Sequence, residues 1–393
     1  MARSPHSDPG RHTTHRTTRL LALGAASLVA VLAVGAVPAL GAPRADDEDD
    51  PTAAAVAFLV DHQTADGGFG PGVLTPDAVA AIAQQAQTGD EWSAKEAIDA
   101  VSAVETDGGS TPLDALDDLA SDATPELAAQ LITRAVVPMG LDPENFDAGG
   151  EGDPVDLVHE VAAGRRGDGS YGSLTATAEA VLALVLVGRP VNEATLAHLE
   201  AAQQENGGWN AEADPDGEFV DPATTGLVLE ALVAAGVLPA GDTSVVRGLT
   251  FLATTQQEGG GWPVEADGDA DATATSWSMG GIRAAGYDPV EGCWRDVTSA
   301  VEIAASPYTS PVDSLLAAQR GDGAIEGGFD PVSSTALGVQ ALLGNWLPTT
   351  RAEAVDCGAE STTFSVRPSL VVLGVLAVVI IAGAVVIMRR GNG

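Results

Sequence analysis

Residues 247–262 read RGLTFLATTQQEGGGW, and this stretch decides the fold. An apolar helical run ends at Gln256, and a glycine turn then leads to Trp262. A degenerate copy of the turn is Asp107-Gly108-Gly109-Ser110. Fuller copies are Gly67-Gly68-Phe69, Gly169-Ser170-Tyr171, Gly207-Gly208-Trp209 and Gly327-Gly328-Phe329. Self-similarity at spacings of tens of residues is the sequence signature of a repeat architecture.

Helical patterns flank most of these turns, so each unit reads helix, glycine turn, helix. The upstream helix ends in glutamine, and the downstream helix is rich in small residues. We interpret these glutamines and the aromatic residues after the glycines as structural residues of the repeat: Gln63, Phe69, Tyr171, Gln203, Trp209, Gln256, Trp262, Gln319 and Phe329. No useful strand alternation is present, so the sequence predicts an all-α domain of stacked helical hairpins.

Helix starts share a second signature, a good N-cap residue followed by proline. The cap side chain accepts hydrogen bonds from free backbone N–H groups, and proline at the first helical position loses no bond. The pairs are Thr75-Pro76, Thr111-Pro112, Thr124-Pro125, Asp153-Pro154, Asp221-Pro222, Ser310-Pro311 and Asp330-Pro331.

Arg247-Gly248, followed by Leu252, Gln256, Gly260 and Trp262, resembles the complete repeat motif of squalene and terpenoid cyclases. The same repeat occurs in protein prenyltransferase β-subunits. Residues 59–69 and 199–209 keep the second half of the motif, and the copy at 315–329 is stretched. The resemblance covers residues 52–347 and implies an α/α toroid of about six helical hairpins, whose inner helices surround a cavity.

An acidic segment carries the catalytic part of this resemblance. Residues 269–274, Asp-Ala-Asp-Ala-Thr-Ala, are similar to the Asp-x-Asp-Asp-Thr-Ala segment with which squalene cyclases protonate an alkene. Ala272 replaces the third carboxylate, so the motif is incomplete. Asp269 and Asp271 are the candidate catalytic acids if the chain is an enzyme. The alternative is that they cap the following helix, whose positive end favours carboxylates.

A metal site is not expected. The prenyltransferase resemblance would imply a zinc site built from Asp, Cys and His in the later helices, but no histidine follows His198. With an incomplete acid motif and no zinc ligands, the sequence favours a role other than catalysis.

The starts of the inner helices favour ligand binding instead. Small hydroxyl residues leave room around a central opening and offer hydrogen bonds to a guest molecule. We predict Thr177, Thr225, Thr275 and Trp277 as ligand-binding residues. The alternative for each threonine is helix packing, where a small side chain permits close approach.

Charge excludes some partners. Residues 42–368 contain all but one of the 55 acidic residues and 12 of the 18 basic residues, a formal charge of −42. A surface this acidic repels nucleic acid and anionic lipid headgroups. Cys293 and Cys357 are the only cysteines, and outside the cell such a pair is expected to form a disulfide.

Both ends of the chain predict export. Residues 1–41 have a basic start, an apolar run and a small-residue exit, the pattern of a signal peptide. An uncleaved anchor is the alternative. Residues 369–388 are apolar and precede Arg389-Arg390, which predicts a membrane-spanning helix with a cytoplasmic tail at 389–393. An acidic linker (42–50), the toroid (51–348) and a stalk (349–368) then lie outside the cell.

Three functions follow from these observations. The leading prediction is a membrane-tethered extracellular binding protein, whose toroid cavity holds a corrinoid-like vitamin or an isoprenoid and passes it to a membrane transporter. A bound corrinoid is the only cofactor that the resemblance suggests. The first alternative is a terpenoid or squalene cyclase-like enzyme. The second alternative is a structural or protein-contact scaffold.

Overall fold

Helices dominate the part of the chain that the computed structural model describes. It describes residues 50–89, 91–150, 152–211, 220–239, 243–265, 268–298, 308–328, 330–344, 351–355 and 366–367. The α-helices in this part are α1 Pro51–Asp61, α2 Leu74–Gln85, α3 Ala94–Ser102, α4 Pro112–Ser121, α5 Pro125–Leu131, α6 Leu157–Ala163, α7 Leu174–Leu186, α8 Glu193–Ala201, α9 Pro222–Ala234, α10 Ser244–Thr255, α11 Ala272–Ala284, α12 Pro311–Ala317 and α13 Pro331–Leu343. The prediction of an all-α fold is confirmed.

The remaining regular elements are short. A π-helical turn, Ile132–Val136, continues α5, and a 3₁₀ helix covers Gly292–Thr298. Strand β1 (Trp262–Pro263) pairs antiparallel with β2 (Ala270–Asp271). Strand β3 (Arg351–Ala352) pairs antiparallel with β4 (Val366–Arg367).

Six helical segments form a closed inner ring. The ring runs α2, α5 with its π-helical turn, α7, α9, α11 and α13, and α13 packs back against α2. The inner helices α7 and α9 are apolar and largely buried, as expected for helices covered on both sides. Helices α9 and α11 come especially close, because a side chain at Gly226 would meet the carbonyl oxygen of Trp277 at 2.1 Å.

The repeat turn has the same backbone hydrogen bonds in six places. The first residue donates its N–H to the carbonyl of the fifth, and the fourth donates its N–H back to the first, at 2.7–3.1 Å. The fourth residue is always glycine with φ between 87° and 94°, a conformation that side chains disfavour. The turns are 64–68, 106–110, 166–170, 204–208, 257–261 and 320–324.

Glutamine side chains tie these turns to the helices. The side-chain amides of Gln63, Gln203, Gln256 and Gln319 each donate to the carbonyl of the turn glycine four residues later, at 2.7–3.2 Å. Gln319 also donates to the carbonyl oxygen of Pro51 at 2.6 Å, which links the last hairpin to the first. The repeat contacts therefore close the ring as well as build each hairpin.

The last copy differs from the predicted one. We predicted a stretched unit ending at Gly327-Gly328-Phe329, whereas the turn is 320–324 and Ile325 takes the position of the aromatic residue. The spacing from Gln319 to Gly323 is the usual four residues, so this copy is not stretched. Phe329 lies outside the described residues.

Candidate active site

Asp271 stands at the start of the inner helix α11. Its carboxylate accepts hydrogen bonds from the backbone N–H groups of Thr273 (2.8 Å) and Ala274 (3.0 Å), so it caps the helix. Its second oxygen accepts from the N–H of Gly328, in the loop before α13. Three backbone donors therefore converge on one carboxylate and fix its position.

A hollow of about 290 Å³ lies beside this carboxylate. Asp269 is exposed on the same hollow, as is Glu265. The residues around it are Val264, Glu265, Gly268, Asp269, Ala270, Asp271 and Gly328. The pair predicted from the sequence, Asp269 and Asp271, thus faces a common space, with one carboxylate capping the helix and the other open to solvent.

Close packing fills the position of the absent third carboxylate. Ala272 is 3% exposed, and a side chain at Gly327 would meet the backbone nitrogen of Ala272 at 2.5 Å. A carboxylate at position 272 would be forced into this packed region without water, which is costly for a charge.

The predicted ligand-binding threonines are engaged with the repeat turns. Each hydroxyl oxygen accepts the backbone N–H of the aromatic residue of its own repeat: Thr177 from Tyr171 at 3.0 Å, Thr225 from Trp209 at 3.0 Å and Thr275 from Trp262 at 3.1 Å. All three threonines are completely buried. Their observed contacts are those of repeat packing.

Charged side chains occupy the middle of the ring. Arg134, on the π-helical turn, contacts Asp77 of α2 (Nε to Oδ1, 3.0 Å) and Glu179 of α7. All three are at most 4% exposed. The guanidinium carbon of Arg134 also lies 5.5 Å from the ring centroid of Trp277. Trp277, predicted to bind a ligand, therefore stacks on a buried cation.

Glu230, Arg283 and Arg351 form a second group of charged residues, and Glu230 also interacts electrostatically with Glu179 and Arg134 of the first group. Glu230 of α9 fits against Gly280 of α11, where an added side chain would meet its Oε1 at 2.6 Å. Burial raises the pKa of Glu230 to about 7, while Arg351 and Arg283 oppose the shift. Burial likewise raises the pKa of Asp77 to about 6, against the effect of Arg134. We call these six residues the central cluster: Asp77, Arg134, Glu179, Glu230, Arg283 and Arg351.

The sequence does contain a signal for the central cluster, which is a single charged residue in an otherwise uncharged helix. Asp77 is the only charged residue of α2, Glu179 of α7, Glu230 of α9 and Arg283 of α11. A single charge in an apolar buried helix requires a partner. The partners come from helices far apart in the sequence, so none of these four residues was predicted as a site residue.

Comparisons with known proteins place the fold. No family model matches the chain, and no curated protein matches it. Solved structures do. The type II terpene cyclase MstE from Scytonema has a TM-score of 0.52 at 14% identity, covering 77% of this chain and 98% of that one. Variants of that cyclase holding geranylgeranyl dihydroxybenzoate or merosterolic acid A match at a TM-score of 0.50, with 13% and 14% identity. They cover 75% of this chain and 96% and 95% of theirs.

The chain has the α/α toroid fold of terpenoid cyclases. The fold implied by the repeat motif at residues 247–262 is thereby confirmed. At this level of identity the likeness concerns the fold alone. The leading prediction, a binding protein whose toroid cavity holds a corrinoid-like vitamin or an isoprenoid, has no support from these observations.

Several predictions fall on parts of the chain that are not described. The signal peptide (1–41), most of the acidic linker (42–50), the membrane segment (369–388) and the tail (389–393) lie outside the described residues. Among the residues that are described, no helix is long and apolar enough to span a membrane. Cys293 is disulfide-bonded. Cys357, the other cysteine, lies outside the described residues.

The region predicted as a stalk contributes to the toroid. Residues 351–352 pack against α9 and α11, and Ala352 is 6% exposed. The N–H of Val355 donates to the carbonyl of Gly286 at 2.8 Å. No group of three or more His, Cys, Asp or Glu residues suited to a metal ion occurs in the described ranges.

Proposed function

We propose that the toroid is an acid-dependent, terpene cyclase-like enzyme in which Asp271 protonates a carbon–carbon double bond of a short isoprenoid. The supporting observation is the position of Asp271, which meets three backbone N–H groups at the start of an inner helix and borders an open hollow. Solved structures with the same fold are type II terpene cyclases.

The local chemistry suits a proton donor. Asp271 is half-buried and borders the hollow, so a double bond placed there would lie beside its carboxyl group, the position that a proton donor requires. The proton forms a C–H bond, the remaining double bond attacks the resulting cation to form a C–C bond, and a proton then leaves to solvent. Solvent reprotonates Asp271, so the net reaction is an isomerisation. Glu265 and Asp269 would stabilise the cation by their negative charge.

The size of the hollow limits the substrate. About 290 Å³ is at the small end of ligand pockets. A short prenyl chain fits this volume better than a long one, and the open side allows a polar head group to remain in solvent.

The experiment uses purified full-length protein with geranyl and geranylgeranyl dihydroxybenzoate, and seeks products of unchanged mass by chromatography and NMR. Asp271→Asn should lower turnover at least 100-fold, while the helix remains capped because asparagine is also a good N-cap residue. Asp330→Asn is the matched control, since Asp330 caps α13 through the N–H groups of Val332 and Ser333. No isomer from either substrate, or equal turnover in Asp271→Asn, rejects the proposal.

The central cluster favours a second candidate, a rigid scaffold without catalysis. Arg134 by itself joins three helical segments, because from the π-helical turn it contacts Asp77 of α2 and Glu179 of α7. Contacts of this kind at the ring centre hold the toroid together. For a scaffold, neither prenylated substrate is converted, and neither raises the melting temperature at saturating concentration. A substrate-dependent rise in melting temperature would count against it.

We also propose that the toroid is extracellular and tethered by residues 369–388, on the basis of the sequence pattern at both ends. Protease added to intact cells should digest or release the toroid. Protection equal to that of a cytoplasmic marker would contradict this location.

A further inference from the structure

A second groove, of about 450 Å³, shares no lining residue with the hollow beside Asp271. It is bounded by α6, the end of α7 and the start of α8. Val158 and Leu184 form apolar parts of its wall, and both are buried. The polar residues of its lining are Glu144, Asp156, His159, Arg165, Tyr171, Arg189 and Asn192. Its volume lies within the usual range for small-molecule sites.

Arg165 occupies the glutamine position of its repeat. In four other copies this residue lies four positions before the turn glycine, and its amide donates to that glycine's carbonyl. Here the carbonyl of Gly169 accepts instead from the hydroxyl of Thr195 at 2.8 Å. Thr195 thus replaces the glutamine as the donor to the turn glycine, and the side chain of Arg165 does not make this contact.

Tyr171 occupies the aromatic position of the same repeat. In two other copies that residue is tryptophan, and the indole N–H donates to a helix carbonyl: Trp209 to Leu199 at 2.7 Å and Trp262 to Leu252 at 2.9 Å. The hydroxyl of Tyr171 makes no hydrogen bond within the described ranges, although the residue is only 9% exposed. Both departures from the repeat therefore occur at residues that line one groove.

The charges in the groove leave one cation without a counter-ion. Arg189 pairs with Glu144, and Asp156 accepts the backbone N–H of His159 at 2.8 Å. Arg165 makes no ion pair with any residue that the structure describes. Arg165 is exposed, and it is a local positive charge in a chain of formal net charge −37. It attracts an anion locally, where the rest of the surface repels one.

We propose that this groove binds a small carboxylate with an apolar body, whose charge meets Arg165 and the hydroxyl of Tyr171. Arginine recognises carboxylates through two parallel N–H donors, and the tyrosine supplies a further donor. The apolar body would cover Val158 and Leu184. This site is independent of Asp271 and of the proposed cyclase activity.

Benzoate is a suitable probe, with benzamide as its neutral isostere. Ligand-observed NMR titration of the full-length protein should show benzoate binding at least tenfold more tightly than benzamide. Arg165→Gln should weaken benzoate binding at least tenfold, and Tyr171→Trp by several-fold. Both substitutions install the residue used in sister repeats, so the fold should be kept. Arg166→Gln removes the same charge one residue away, outside the groove, and should change benzoate affinity less than twofold.

Three results would overturn the site. The first is an absence of benzoate binding to the unsubstituted protein at 0.1 M salt, about physiological screening. The second is equal affinity for benzoate and benzamide. The third is an equal loss in Arg166→Gln and Arg165→Gln, which would mean that benzoate responds to overall charge.

Discussion

At the scale of single residues, two adjacent glycines have different roles. Gly260 is the fourth residue of a repeat turn, with φ of 90°, and an added side chain would lie 2.4 Å from the carbonyl oxygen of Ser310. Gly259 precedes it in the same turn, is exposed, and has open space around its Cα. Only Gly260 is restricted both by its backbone angle and by the start of α12.

We therefore expect Gly260→Ala to lower the free energy of unfolding by about 2–4 kcal/mol, through left-handed strain and the forced contact. Gly259→Ala should change it by less than about 0.5 kcal/mol. Urea denaturation of both variants measures the difference. Equal effects would show that the turn tolerates a side chain at its fourth residue.

Thr275 provides a residue-scale test of the packing role. Its hydroxyl oxygen accepts the buried N–H of Trp262, and Thr275→Val keeps the shape but removes that acceptor. A buried N–H without a partner costs about 1–3 kcal/mol, and we expect that loss of stability. Thr254→Val changes an exposed threonine on α10 and should cost less than about 0.5 kcal/mol. A neutral Thr275→Val would leave the hydroxyl free for a ligand.

At the scale of elements, local signals predict helix starts well except where a distant contact overrides them. Asp221-Pro222 and Asp330-Pro331 begin helices as predicted. Thr75-Pro76 lies inside α2, whose N-cap is Val73, and the hydroxyl of Thr75 accepts the N–H of Phe69 at 3.0 Å. Asp153-Pro154 does not begin a helix either: α6 begins after Asp156. The reason is that Val155 forms a two-way backbone bridge with Phe146, at 2.9 Å each way.

The candidate site is predictable from the sequence only in part. Asp271 is recognisable because its motif is contiguous in the chain. The central cluster is not, because Asp77, Arg134 and Glu179 are brought together only by ring closure. The predicted position of the last repeat turn is wrong because an aromatic residue was expected after the glycines, whereas Ile325 fills that position.

At the scale of the whole molecule, the first and last hairpins depend on each other. Gln319 donates to the carbonyl of Pro51, and a side chain at Gly323 would meet the carbonyl of Ala54 at 2.1 Å. Gln340 of α13 donates to the carbonyl of Asp77 at 3.1 Å. The ring is therefore closed by contacts between residues more than 250 positions apart.

Loss of one such contact should loosen α1. Gln319→Ala removes the bond to Pro51, so we expect faster amide hydrogen exchange along α1, since local opening becomes easier. Gln256→Ala is the matched control, because it removes the same bond within a repeat but its second contact is to Thr309. If α1 exchanges at the same rate in both variants, the Gln319 contact does not secure ring closure.

The central cluster should make stability depend on pH in a specific direction. Burial raises the pKa values of Asp77, Glu179 and Glu230 in the folded state. The folded protein then holds protons that the unfolded chain has released, so this contribution is full below about pH 4 and is lost as pH rises toward 7. Hydrogen bonds lower the pKa values of Asp50 and Asp66, whose contribution is lost below about pH 4.

Between these limits, the melting temperature should fall by roughly 5 °C or more from pH 5 to pH 7.5. Measuring it in 0.5 M NaCl suppresses the repulsion among surface carboxylates, but buried charges are screened far less. Glu230→Gln removes one titrating group, so it should reduce the pH dependence, whereas Glu258→Gln, at an exposed position, should leave it intact. An unchanged pH dependence in Glu230→Gln would mean that Glu230 keeps the same charge across this range.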